Sequence, residues 1–179
     1  CFSHLWSVVA NRYQNLDPDR VSFELLNEPT LGFDLDSLLI MYNDAIDSIR
    51  QHTVNHSIIV SPHWGSSMMF FPEFEPMADT NLIYTFHCYD PLDFTHQGFT
   101  WHSPFFPSGT TYPAGVDTSF FEGWLYTGWD RLLAWRQTYQ APIFLGEFGI
   151  GNYCDSLSTC RWLEYNATKL VQNNIPWFY

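Results

Sequence analysis

Two glutamates stand where this chain could do chemistry. Glu28 sits in Leu26-Asn27-Glu28-Pro29, directly after the apolar run Val21-Ser22-Phe23-Glu24-Leu25. Glu147 lies in Pro142-Ile143-Phe144-Leu145-Gly146-Glu147-Phe148-Gly149, again at the end of a short apolar run. If each run is a buried strand, and the strands are parallel neighbours in a barrel, both carboxyl groups converge on one substrate. Paired carboxylates serve glycosidic cleavage: one protonates the leaving oxygen, and the other attacks the anomeric carbon or activates water. A separation of about 5–5.5 Å permits direct attack with retention, and about 6.5–9.5 Å admits water and gives inversion. The acid has to hold its proton near neutral pH, which commonly takes a pKa of about 6–7. Negative charge on a neighbouring nucleophile supplies such a shift.

The elements that must position these groups alternate along the chain. Apolar residues at Phe2, Leu5, Trp6, Val9 and Tyr13 have helical spacing, and Val21 to Leu26 reads as a short strand after the turn Asp17-Pro18-Asp19. Leu35 to His52 predicts an amphipathic helix capped by Asp34 or Asp36. Ser57 to Val60 is the next strand, followed by a loop from Ser61 into Met68, and Leu82 to His87 is the third. A Pro-, Gly-, Phe- and His-rich segment from Asp90 to about Thr118 is long enough to be a lid or binding wall. Phe120 to Tyr139 predicts a helix, Ile143 to Gly146 a strand, Leu157 to Asn173 a helix, and Ile175 to Tyr179 the start of a fifth strand.

Such alternation implies a parallel sheet covered by helices, in one domain spanning residues 1–179. The strands end in Asn27 and Glu28, His63 and Trp64, His87 and Tyr89, and Glu147. Ligands of α/β folds gather at the carboxyl ends of strands. A doubly wound open sheet would alternate in the same way, but no Gly-rich phosphate loop follows any strand.

Composition narrows the partners. With 19 acidic and 7 basic residues the formal charge is −12, which argues against phosphate backbones and anionic lipid. A neutral polysaccharide is compatible. The 8 Trp and 10 Tyr offer flat apolar faces suited to sugar rings, and roughly a third of the Trp are expected near a cleft. His4, His52 and His56 read as helix or turn surface, and the seven His show no metal-ligand spacing, so no metal or other cofactor is expected. Cys154 and Cys160 either close a small disulfide loop or remain separate thiols. Asn55-His56-Ser57 and Asn166-Ala167-Thr168 are glycosylation sequons. No transmembrane stretch or signal peptide is visible.

Taken together, the chain resembles glycoside hydrolase family 5, the cellulase-like (β/α)8 enzymes. The residues that carry the resemblance are Phe23-Glu24-Leu25-Leu26-Asn27-Glu28-Pro29 at the fourth barrel strand, and Thr85-Phe86-His87-Cys88-Tyr89 at the sixth. Phe94-Thr95-His96-Gln97-Gly98 continues the match towards Trp101, and Gly146-Glu147-Phe148-Gly149 matches the seventh strand. The resemblance implies that Glu28 is the acid/base and Glu147 the nucleophile of a retaining mechanism. It also implies that Asn27 hydrogen-bonds a sugar 2-hydroxyl, with His87 and Tyr89 beside Glu147. Trp64, which with His63 follows a strand, is a candidate substrate-binding residue reaching the cleft, and Trp101 is a candidate sugar platform that could equally plug its loop.

Aligned with that family, Cys1 falls inside the third barrel helix and the chain stops at Trp177-Phe178-Tyr179. A complete barrel takes about 250 residues, so the expectation is a partial (β/α)8 barrel from the third helix to the eighth strand. The expected activity is endo-cleavage of β-1,4-glucan by a monomer, secreted because its substrate is bulky. A mannanase, xyloglucanase or β-1,3-glucanase would share the scaffold, and a non-catalytic carbohydrate-binding protein is the rival of a different class.

Overall fold

A computed structural model describes residues 1–29, 34–114 and 119–178. The elements are α1 (Phe2–Tyr13), β1 (Phe23–Glu24), α2 (Leu35–Arg50), β2 (Ile58–Val60) and α3 (His63–Ser66). After a 3₁₀ helix over Met68–Glu73 come β3 (Leu82–Cys88), α4 (Leu92–Thr95), α5 (Phe120–Tyr139), β4 (Ile143–Phe148) and α6 (Ser156–Gln172). The strands form one parallel sheet in the order β1-β2-β3-β4. Sequential parallel neighbours joined through helices are the repeating unit of a (β/α)8 barrel, and this chain forms part of one.

Each strand packs side chains against the helices that cover the sheet. Phe23 meets Trp6 of α1, Tyr84 meets Trp135 and Phe86 meets Trp129 of α5, and Phe148 stacks on Trp162 of α6. Buried indoles need acceptors. Trp129 Nε1 donates to Asn166 Oδ1 at 2.9 Å, Trp135 Nε1 to the Phe74 carbonyl at 2.8 Å, and Trp162 Nε1 to the Asp90 carbonyl at 2.8 Å. Asn166 also accepts from the Cys88 thiol and donates to the Trp162 carbonyl, so it joins β3, α5 and α6. It is fully buried, which closes this sequon to a glycan in the folded protein.

Several expectations are corrected. The predicted first strand shrinks to Phe23–Glu24, although the amides of Phe23 and Leu25 still bond across to Ser57 and Ile59 carbonyls. The Ser61–Met68 segment is no plain loop: Trp64, Gly65 and Ser66 all have positive φ, at 58°, 69° and 59°. The fifth strand is a parallel bridge of Trp177 to Leu145, and Tyr179 lies outside the described residues. His56 is buried rather than on the surface, because its ring stacks on Phe23 and its Nδ1 pairs with Thr53 Oγ1. Of the two alternatives left open for Cys154 and Cys160, the structure has the separate thiols, with Cys154 turned inward to the Phe94 carbonyl and Cys160 exposed. The long segment after β3 is anchored by buried Gln97, whose amide bonds the backbone of Phe94, Gly109 and Thr110.

Candidate active site

The strand ends bring the two carboxylates together through a register shift. Phe86 pairs with Leu145, but a bulge between Phe86 and His87 sets His87 opposite Glu147. The intervening Gly146 makes this possible. A Cβ there would lie 2.5 Å from Thr85 Oγ1 and 3.3 Å from His87 Nε2, too close for any side chain. Glu28 reaches the same point from β1 with φ at 45°, a left-handed conformation that costs a non-glycine residue about 1–3 kcal/mol. The neighbouring Pro29 carbonyl accepts the Gly65 amide at 3.2 Å, tying this turn to the left-handed turn after β2.

His87 Nδ1 lies 2.7 Å from Glu28 Oε1 and 3.5 Å from Glu147 Oε2. Tyr89 donates its hydroxyl to Glu147 Oε2 at 2.8 Å. One oxygen of each carboxylate and a His87 nitrogen all lie within 4.8 Å of one another. Atoms so placed would also reach a cation, yet the hydrogen bonds from Tyr89 and His87 already account for the arrangement.

Electrostatics keeps the neighbours in defined states. Burial, followed by the hydrogen bond and charge of Glu147 and the charge of Glu28, pushes the Tyr89 phenol well up, so it stays a donor. Burial and the nearby His102 push His96 down to about 4 against the pull of Glu28, so His96 is neutral at ordinary pH. Burial and the charge of Asp93 lift Asp90 to about 7. Burial also raises Glu24 beneath the site; Glu147 adds to that rise and His87 opposes it.

These groups line a cleft of about 530 Å³ that contains Glu28, Glu147, His87 and Tyr89. Its walls include Trp64 and Trp101, both expected, and Trp124, His96, His102 and Asp90, none of which had been given a role. Three of the 8 Trp therefore face the cleft, close to the expected share. Trp101 is 68 % exposed and stacks on Phe99, which makes it a wall and not a plug. Asn27 is exposed beside Glu28 and is not among the lining residues. His96 belongs to the Phe94-Thr95-His96-Gln97-Gly98 motif, a signal that marked the segment without giving the side chain a task. Trp124 carries no such signal, since a tryptophan in the first turns of an amphipathic helix reads as core. His63 is buried with its Nε2 3.5 Å from Glu73. A wider depression of about 720 Å³ lies at the opposite end of β4, but its Arg136 is spent on the Asn173 carbonyl.

Comparison with known proteins shows which family the chain resembles in sequence and fold. The chain is 26% identical over 163 residues to Cellodextrinase A of Ruminococcus flavefaciens, covering 91% of this chain and 48% of that one. It is 33% identical over 99 residues to Endoglucanase 3 of Fibrobacter succinogenes, covering 54% of this chain and 15% of the relative. Among solved structures, an endoglucanase superposes with a TM-score of 0.89 at 22% identity, over 99% of this chain and 56% of that one. The cellulose synthase subunit Z of Clostridioides difficile does so with 0.87 at 30% identity, over 98% and 57%. The chain thus spans about half the length of Cellodextrinase A and of both solved relatives. The model of Cellulase (glycosyl hydrolase family 5) matches residues 1–179, and with a fold shared with these relatives the chain belongs to that family.

Proposed function

We propose that this chain carries the catalytic pair of a retaining endoglucanase acting on β-1,4-glucan. The observation that carries the proposal is the approach of Glu28 and Glu147, whose nearest oxygens lie within 4.8 Å inside an aromatic-walled cleft. So close an approach favours direct attack over a mechanism that needs a water between the carboxyls. Glu147, steered by the Tyr89 hydroxyl, attacks the anomeric carbon while Glu28 gives its proton to the departing oxygen. The bond to the leaving sugar breaks and a glycosyl ester forms on Glu147. Glu28, now a base, takes a proton from the water that cleaves the ester. His87 bridges the pair and holds Glu28 in place, a positioning role.

Asn27, at the rim beside Glu28, is assigned to a sugar hydroxyl, and Trp64 and Trp101 to ring stacking. The endoglucanase and cellodextrinase names of the relatives support β-1,4-glucan as substrate. A polymer of that size would place the protein outside the cell.

The test is the anomeric configuration of the first product, followed by NMR during hydrolysis of soluble glucan by the full-length protein. Retention is expected, and inversion would remove the mechanism. A panel of glucan, mannan and xyloglucan then fixes the substrate, and turnover of none of them would leave only the binding-protein reading.

A further inference from the structure

Another depression, of about 660 Å³, lies between α5 and α6 and shares no lining residue with the cleft. Small-molecule sites commonly measure about 300–1,000 Å³. One wall is phenolic. Buried Tyr112, from the long segment after β3, hydrogen-bonds Tyr126 of α5, and Tyr126 donates to Glu122 Oε1 at 2.6 Å. Tyr165 of α6 meets Tyr126 edge-on, with ring centres 5.3 Å apart. Burial, then the neighbouring Tyr126, Asp130 and Cys88, push the Tyr165 phenol up to about 12, so it stays a hydrogen-bond donor.

The charge at its rim is unusual for this chain. Arg161, Tyr165 and Lys169 follow one another at four-residue intervals, one stripe of α6. The protein has 7 basic residues against 19 acidic ones, and Lys169 is its only lysine. Arg50 is spent on Asp79, Arg131 on the Met69 carbonyl and Arg136 on the Asn173 carbonyl. Arg161 and Lys169, by contrast, form no ion pair among the described residues, although Glu164 stands three positions after Arg161. The Lys169 ammonium instead sits over the Tyr165 ring, 5.7 Å from its centre. In a chain of charge −12, two cations left unpaired at one aromatic-walled depression favour an anion from outside.

We propose that this depression binds a carboxylated saccharide, with the carboxylate of a uronic acid held by Arg161 and Lys169 beside the Tyr165 ring. The site stands apart from the cleft and does not depend on how the cleft is read. A guanidinium takes a carboxylate through two parallel hydrogen bonds, and an ammonium adds a point charge. Arg161, Lys169 and Glu164 sum to a single positive charge, which suits a ligand carrying one carboxylate. Glu164 would repel a run of acidic peptide, whereas a sugar offers it hydroxyl donors. The phenols supply both donors and flat apolar faces for a pyranose ring.

The test is a calorimetric titration of the full-length protein carrying Glu147→Gln, so that binding is read without turnover. The probes are cellobiose and cellobiouronic acid, in which a carboxylate replaces one hydroxymethyl group. The parent is expected to bind the acid at least roughly fivefold more tightly at low ionic strength, an advantage that shrinks in salt. Arg161→Gln together with Lys169→Gln should abolish the advantage and leave cellobiose affinity unchanged. Tyr165→Leu keeps both cations and should at least halve it, which charge attraction alone would not do. Circular dichroism checks that both variants are folded. Equal affinity of the parent for the two disaccharides overturns the proposal, and so does an advantage that survives the double replacement. An advantage untouched by Tyr165→Leu and matched by inorganic sulfate means a bare anion patch, which overturns the saccharide site. Acid that binds the parent and not the double variant supports the site even if cellobiose binds neither, a result that would count against the glucanase reading alone.

Discussion

The two ends of the sheet are built to different rules. At the amino ends of the strands, Arg50 closes a network in which nearly every polar group has a partner. Its guanidinium bonds both oxygens of Asp79, at 2.6 and 3.0 Å, and the carbonyls of Thr53, His56 and Asn81. Asn81 in turn accepts from Ser57 and donates to the Asn55 carbonyl. At the carboxyl ends, Glu28, Trp64 and Ser66 hold left-handed conformations, and Trp64 and Trp101 stand largely in solvent. Ser61, Ser66, His63 and Thr85 there keep buried polar atoms without a protein partner among the described residues. The first end lowers the free energy of the fold. Left-handed residues also occur at the first end, at Gln140 and Asn174, and His56 Nε2 there is unpartnered among the described residues, but at the second end such features sit beside the two carboxylates, the division expected of barrel enzymes.

Breaking the carboxyl end should remove activity and spare stability. Glu147→Gln is expected to cut turnover at least roughly a thousandfold with little change in melting temperature. Glu28→Gln should lose less on aryl glycosides with good leaving groups, which need little protonation, than on glucan. Equal losses on both substrates would remove Glu28 as the acid. Gly146→Ala is the sharper case. The new methyl would lie 2.5 Å from Thr85 Oγ1 and 3.3 Å from His87 Nε2, so Thr85 must shift and the His87 ring is pressed away from its seat beside Glu28, and kcat should fall on the order of tenfold. An unchanged kcat would mean that the register of β3 and β4 does not set the site.

Breaking the amino end should do the reverse. Arg50→Ala is expected to destabilise the protein by about 2–3 kcal/mol, less than a fully buried pair would, since both side chains keep 16–17 % exposure. The kcat of the folded fraction should be unchanged. The hydrogen bond from Arg50 holds the Asp79 carboxyl below its ordinary value. Its contribution is therefore present above the usual carboxylate range and is lost as pH falls through that range.

A pH dependence is expected at the carboxyl end as well. His96 is pushed down to about 4, so the folded state resists a proton that the unfolded chain accepts near 6.5. Its contribution is present above about 6.5 and is lost as pH falls from there towards 4. Denaturant titrations across this window should show the loss, and His96→Gln should flatten it. An unchanged slope would mean that His96 is not the group responsible.

What the sequence disclosed follows the same division. Elements held by periodic burial were legible, and the helices Phe2–Tyr13 and Phe120–Tyr139 occur with the predicted bounds. That Glu28, Glu147, His87 and Tyr89 converge was legible because strand-end position and motif pointed alike. The left-handed turn at Trp64 was not, since it depends on the Pro29 carbonyl, 36 residues away in the chain, meeting the Gly65 amide. His56 looked like turn surface because its burial is decided by Phe23 on another strand. Trp124 was hidden for the opposite reason: helical spacing marks a tryptophan as apolar without saying whether it faces the core or the cleft.

The central claim is that Glu28 and Glu147 act as one retaining pair, and a covalent intermediate tests it most directly. The full-length protein would be inactivated with an activated 2-deoxy-2-fluoro-β-cellobioside, digested, and its peptides sequenced by mass spectrometry. The fluorinated cellobiosyl group is predicted on the peptide containing Gly146-Glu147-Phe148, with inactivation and labelling both lost in Glu147→Gln. A label on Glu28, or rapid hydrolysis of glucan with no residue labelled at all, would contradict the assignment.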